Sequence, residues 1–364
     1  MSTASTLLRS DLRDFRGYRS ARSETVQGRI WLNANESAWP SAADPEGSCR
    51  RYPDPQPELL VGALARLYGM PPDEVLVGRG SDEGIDLLVR TFCMPGSGCV
   101  VIAPPVFGMY AVCARLQGAR VVEVPLLDAP AGYAPDLDAM ANAALLERAS
   151  LLFLCSPGNP TGEVIAPEHI AALAARLRNR CLVVVDEAYG EFTEWPSAST
   201  LIADNDNLVV LRTLSKAHAL AGARIGCVLA ARETIDLLRR CQAPYPVPRP
   251  CVDAALAALS PGALVATQAQ VASVRASREE MLRELGSVPG VRRIYASQAN
   301  FLLVRFDDPE GMLRKLLAAG IVVRDMRAMP GLGDALRITL GDPMQNKAVL
   351  AALAQPDPIA EEAA

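Results

Sequence analysis

Short, nearly unbroken runs of Val, Leu, Ile and Cys recur along the chain, separated by segments of helix length. The runs predict strands at Cys99–Ala103, Val121–Val124, Leu151–Cys155, Leu182–Val185, Leu208–Leu211 and Ile225–Leu229. Apolar residues at helical spacing predict helices at Glu58–Leu67, Asp82–Cys93 and Val106–Gln117. A strand that is apolar at every position is covered on both faces, so the alternation predicts an α/β fold with a mostly parallel central sheet flanked by helices.

The pattern changes after Ala243. Pro244–Pro250 has four prolines in seven residues and is expected to lack regular structure. Helical patterns at Cys251–Leu259, Ala263–Leu285 and Pro309–Ala319 follow, with strand-like runs at Phe301–Phe306 and Leu336–Leu340. These predict a smaller α+β unit. The expected division is an N-terminal arm over residues 1–30, a larger unit over 31–250 and a smaller one over 251–364. The polar arm is expected to hold a helix around Leu8–Phe15 and to pack with the smaller unit. The acidic, Ala-rich tail after Gln355 is expected to fray.

Composition narrows the function classes. At about 150 residues per domain, 364 residues suit two units. Half the residues are hydrophobic and 21% are charged, enough for a large core. A net charge of −5 argues against general binding to nucleic acid or anionic membranes. No window of about 18 apolar residues suggests a membrane span, and the arginine-bearing N-terminus lacks the apolar core of a secretory signal. Nine cysteines without a Cys-x-x-Cys fit a reducing compartment, and two histidines exclude a His-rich metal site. The expectation is a soluble cytoplasmic protein with no metal.

Several segments carry candidate chemistry. Asp186 ends a buried strand, where open α/β sheets hold ligands in a crevice; it is equally placed to cap the next element. Lys216 follows another strand in Thr213–Lys216, flanked by small and hydroxyl residues. A lysine desolvated in such a crevice has a lowered pKa and a free amine for imine chemistry, although a lone lysine is ordinarily a solvated charge. Ser215 and Arg224 pair a hydroxyl with a planar cation, which suits a phosphate dianion. Gly78–Glu83 is a glycine turn opening a helix, either an ordinary cap or an anion site. Asn159 sits in a rigid turn after a strand, and Tyr110 is either a stacking ring or a core aromatic. An amine, a carboxylate, hydroxyls, an amide, a ring and a phosphate cup at successive crossovers are what pyridoxal 5′-phosphate requires.

The segments Ser156–Gly162, Asp186–Tyr189 and Ser215–Lys216 with Arg224 resemble fold-type I pyridoxal-phosphate aminotransferases. Leu32–Glu36, Arg51–Pro53, Arg79–Gly84 and Leu211–Lys216 narrow the resemblance to the histidinol-phosphate aminotransferase family, over about Tyr18 to Ala352. It implies that Lys216 forms the imine with the cofactor and then moves the substrate proton. Asp186 would pair with the ring nitrogen, and Tyr189 and Asn159 with the ring oxygen. Ser81, Asp82, Thr213, Ser215 and Arg224 would hold the phosphate, and Tyr110 would stack on the ring. Tyr52 would reach the phosphate of the neighbouring subunit in a homodimer. Arg337, helped by Arg324, would take the anionic group of histidinol phosphate or glutamate in turn. Tyr18, Asn33 and Asn35 would border the imidazole. The chain departs from the family at Gly158, at His218 and across Val247–Pro250, the last on the substrate side. The implied reaction moves an amino group from L-histidinol phosphate to 2-oxoglutarate. Rival readings are a lyase resembling threonine-phosphate decarboxylase and an aminotransferase for aromatic amino acids.

Overall fold

A computed structural model of the chain describes residues 2–18 and 28–355. The tail expected to fray after Gln355 and part of the arm lie outside these. The strands of the larger unit are β1 (Val75–Gly78), β2 (Cys99–Ile102), β3 (Arg120–Glu123), β4 (Leu127–Ala129), β5 (Gly132–Ala134), β6 (Leu151–Cys155), β7 (Leu182–Asp186), β8 (Leu208–Thr213) and β9 (Gly226–Ala230). Seven of them form one sheet in the order β1-β9-β8-β7-β6-β2-β3, and β4 pairs with β5 as a separate hairpin. Along β7, Val183 and Val185 enter one core while Leu182 and Val184 enter the other. The period-two alternation therefore divides the strand between two apolar faces, and its sequence reads as a continuous hydrophobic run.

One strand runs against the rest. β9 is antiparallel to both β8 and β1, with Thr213 and Gly78 each opposite Gly226. The Leu214–Ile225 segment therefore returns to the sheet end from which it left. That places the loop bearing Ser215, Lys216 and Arg224 beside the turn at Gly78–Gly80, at the carboxyl ends of β6, β7 and β8.

The second unit has a four-stranded antiparallel sheet of β10 (Val291–Ile294), β11 (Phe301–Phe306), β12 (Arg324–Asp325) and β13 (Ala335–Thr339), in the order β10-β11-β13-β12. Helices Pro261–Leu285, Pro309–Ala318 and Pro343–Ala354 cover it around Leu302, Val304, Leu336 and Ile338. The β4–β5 hairpin fastens this sheet to the larger unit. The Tyr295 hydroxyl donates to Asp128 at 2.9 Å, Arg305 donates to the Tyr133 hydroxyl at 2.8 Å, and the two tyrosine rings stack 4.9 Å apart.

Four expectations are corrected. The arm packs on the larger unit: Ala4 enters its core, and Thr3 binds Asp206 through its N–H and hydroxyl at 2.8 and 2.9 Å. Its helix spans Thr3–Leu7 because Ser2 caps it from the Ser5 N–H; beyond Leu8 only a single turn at Ser10–Leu12 is helical. The helix Arg249–Ala258 places Val252 and Ala255 in the larger core, so the second unit begins after it, near Pro261. Pro250 lies in that helix's first turn, where its missing N–H would have had no partner anyway. The irregular stretch therefore ends sooner than the proline count implies.

Candidate active site

Two glycines let the phosphate-type cup assemble. Gly80 opens the helix Gly80–Phe92 at φ +79, and a Cβ there would approach Arg224 Nη2 to 2.9 Å. At Gly226 a Cβ would meet the backbone of Gly80 and Ser81 at 2.5 and 2.6 Å. The helix N-terminus can thus lie directly against β9, its free N–H groups beside Arg224. Gly226→Ala is expected to push this helix away, losing about 1–3 kcal/mol as other overpacked cores do. Thermal melts of the cofactor-free variant measure this, and an unchanged midpoint would show that the approach is slack.

Arg224 is itself left-handed at φ +54, which turns its side chain back over the loop. Its Nη2 donates to Asp82 at 3.0 Å and its Nη1 reaches the Ser215 hydroxyl at 3.4 Å. Thr213 and Ser215 join their hydroxyls at 2.9 Å. A guanidinium, two hydroxyls and a helix N-terminus thus converge on one wall, a donor set that suits a dianion.

The same cavity is lined by Lys216, Asp186, Asn159, Tyr189 and Phe107. Asp186 is 2% exposed at the end of β7. It accepts the Tyr110 hydroxyl at 2.8 Å and the Ala188 N–H at 3.1 Å. Burial nevertheless pushes its carboxyl up to about 6, against the pull of those two donors. Lys216 is held below the ordinary lysine value, first by burial and then by the charge of Arg337, with Arg224 adding to it and Asp82 and Asp186 opposing. Beneath this loop, Arg212 is buried and paired with Glu187 and Glu191, each at 2.6 Å. His218 lies buried 3.9 Å from Glu191, away from the cavity lining.

A chain of polar contacts joins the two units at the cavity mouth. Arg337 on β13 donates to the side-chain Oδ1 of Asn159, and the Asn159 Nδ2 donates to the Tyr189 hydroxyl at 3.4 Å. The Arg337 guanidinium lies over the Phe301 ring, 5.0 Å from its centre, and its Nε is buried without a partner. Arg324 faces it directly across the β12–β13 pair. Burial, helped by the Arg324 charge, lowers the Arg337 pKa. Two adjacent cations with an open donor favour an anionic guest.

Tyr110 requires a correction. Its helix begins at Met109, not Val106, so Tyr110 points into the core, fully buried and stacked on Phe153 at 4.7 Å. It orients Asp186 instead of facing the cavity. Phe107, in the loop just before that helix, lines the cavity and supplies the aromatic face. The signal for it was the preceding Pro104-Pro105, which delays the helix.

The remaining candidates lie elsewhere in the single chain. Tyr52 is half exposed and stacks on Tyr245 at 4.4 Å. Tyr18, Asn33 and Asn35 are exposed, and neither they nor Tyr52 line the cavity. Among the described residues no cluster of His, Cys, Asp and Glu could hold a metal, and no single helix is long and apolar enough to cross a membrane.

Comparison with known proteins gives a consistent family. Residues 24–353 match the model of aminotransferase class I and II. A histidinol-phosphate aminotransferase of Xanthomonas axonopodis pv. citri is 60% identical over 347 residues, 95% of this chain and 96% of that one. The enzyme of that name from Stenotrophomonas maltophilia is 58% identical, over 95% of each chain. The crystal structure of histidinol-phosphate aminotransferase from Sinorhizobium meliloti, in complex with pyridoxal-5′-phosphate, superposes with a TM-score of 0.76 at 28% identity, covering 88% of each chain. Sheet, cavity and sequence agree: the chain belongs to the class I and II aminotransferases, and within them to the histidinol-phosphate aminotransferase family.

Proposed function

We propose that this enzyme transfers the amino group of L-histidinol phosphate to 2-oxoglutarate, giving imidazole acetol phosphate and glutamate for histidine synthesis, with pyridoxal 5′-phosphate as cofactor. The observation that carries the reading is one cavity holding Lys216, Asp186 and the Ser81–Ser215–Arg224 wall together, with Arg337 at its mouth. The cofactor fits what these residues lack. Asp186 is a buried carboxyl with no cation bonded to it, and a protonated ring nitrogen is such a cation. The opposite wall offers donors to a phosphate, and Phe107 an apolar face to a ring.

When bound, pyridoxal phosphate supplies a carbonyl for the amine and an electron-accepting ring. Each residue then has a task. The Lys216 amine, its pKa lowered by burial, would accept and return the proton at the substrate carbon. Asp186, held by Tyr110, would keep the cofactor's ring nitrogen protonated. Asn159 and Tyr189 would hold its ring oxygen, and Arg337 with Arg324 would bind the substrate anion. A fork-shaped guanidinium can take a phosphate or a carboxylate in turn, which a two-substrate cycle needs.

The family match at 60% identity favours transamination over the decarboxylase and aromatic-substrate readings. We further infer a cytoplasmic homodimer in which Tyr52 serves the neighbouring cavity, because it lies half exposed and outside its own. The test is the spectrum of purified protein with cofactor, after adding histidinol phosphate, glutamate or phenylalanine singly. Changes with the first two alone support the reading; carbon dioxide release would instead assign a lyase. Arg337→Ala is expected to slow both half-reactions by about 10–100-fold, the worth of a charged hydrogen bond. Single-turnover rates with each substrate check this, and damage to only one would mean separate anion sites.

A further inference from the structure

The turn that carries Asn159 is built around a half-buried glutamate, Glu163, whose Oε2 is fully enclosed. The Gly158 N–H donates to the Glu163 carbonyl at 2.7 Å, and the Gly162 N–H returns to the Gly158 carbonyl at 2.7 Å. The Glu163 side chain folds back over the glycine: a Cβ at residue 158 would lie 2.5 Å from its carboxyl carbon and from both oxygens. The carboxyl thus occupies the space that a side chain at 158 would fill. It shares a narrow cavity with Ala103, Val106, Phe153, Cys155 and Asn159, and its Oε2 is buried without a hydrogen-bond partner.

The groups facing it compensate an ionised form only in part: the Thr161 hydroxyl and the Glu163 N–H favour the carboxylate, and burial outweighs them. From β6 comes the Cys155 thiol, kept protonated by burial. From its own turn come the Asn159 amide and the Thr161 hydroxyl. The 103–106 segment, Leu126 and Pro135 add only uncharged residues, and no lysine or arginine lines this cavity. Burial accordingly pushes the Glu163 carboxyl up to about 7.

We propose that Glu163 is a positioning residue for Asn159: its carboxyl packs in place of a side chain at residue 158 and sets the turn that aims the Asn159 amide at Tyr189 and Arg337. The neutral carboxyl fits this apolar cavity and the carboxylate does not. As pH rises through about 7, the turn loosens and the aim of Asn159 degrades. The kinetic consequence rests on the transaminase reading above; the effect on the turn does not.

The test compares wild type with Glu163→Gln, Glu163→Ala, Gly158→Ala and the double alanine variant. The readouts are pH profiles of kcat and KM with histidinol phosphate, and hydrogen exchange of the 156–165 amides in cofactor-free protein. Glu163→Gln is expected to keep kcat within about twofold at pH 6 and to remove the decline above pH 7. Glu163→Ala is expected to lower kcat about tenfold or more and to speed exchange at Gly158 and Gly162. Gly158→Ala should harm the wild type but add little to Glu163→Ala, since the space is then free. Wild-type exchange and an unaltered pH profile in both Glu163 variants would overturn the proposal, as would a Gln variant as damaged as Ala at every pH. If histidinol phosphate is not turned over at all but exchange follows this pattern, the positioning role stands and the substrate assignment falls.

Discussion

Lys216→Ala is expected to abolish turnover, with a loss of about four orders of magnitude or more, the upper end of what a positioned proton-transfer group contributes. The effect is so large because one amine serves two purposes. On the proposed assignment it would be both the nucleophile that holds the cofactor and the base that moves the substrate proton, and the loop offers no second lysine. Its surroundings prepare it for both: burial and the charge of Arg337 keep its pKa below the ordinary lysine value, so more of it is free amine near neutrality. Protein reconstituted with pyridoxal phosphate should show the absorption of a lysine imine in the wild type and only that of the free aldehyde in the variant. Retained turnover would refute the assignment outright.

Asp186→Asn should keep the cofactor yet lose about 10²–10³ in kcat, comparable to deleting a preorganised electrostatic contact in other active sites. The amide has the shape of the carboxyl and can still accept from the Tyr110 hydroxyl, so the cavity should persist. It cannot hold a ring nitrogen in its protonated form, and without that charge the ring is a poor electron sink. Stopped-flow rates with histidinol phosphate measure the loss, and wild-type speed would sink the electron-sink account. The cofactor-free protein gives an independent check. Its carboxyl is raised from 3.8 to about 6, so the native state binds more protons than the unfolded chain across that interval. The stability this provides is complete below about pH 4 and is lost as pH rises through about 6. The Asn variant should lack that part of the pH dependence, measured by denaturant titration from pH 4 to pH 7.

Much of the site was legible because its chemistry is local. Asp186, Lys216, Ser215 and Asn159 each follow an apolar strand within a few residues, and in a parallel sheet such positions share one edge. Tyr110 misled because helical spacing cannot say which residue of a pair faces the core when the helix start is uncertain by three residues. The arm misled for a different reason. Its docking through Ala4, Thr3 and Asp206 joins residues about two hundred positions apart, and no periodicity encodes such a partner. Glu163 escaped notice altogether, since a glutamate two residues past a Pro-Thr reads as surface until the backbone folds it onto Gly158.

The run of residues alone determined the strands with their two apolar faces, the class of fold and the kinds of reactive group at each crossover, because periodicity and side-chain chemistry act over a few residues. Only the tertiary structure decided the reversal of β9, the seating of the helix N-terminus against Gly226, the exchange of Tyr110 for Phe107, and the reach of Arg337 across to Asn159. Each of these depends on which distant segments come into contact, and that is settled by packing the whole core at once.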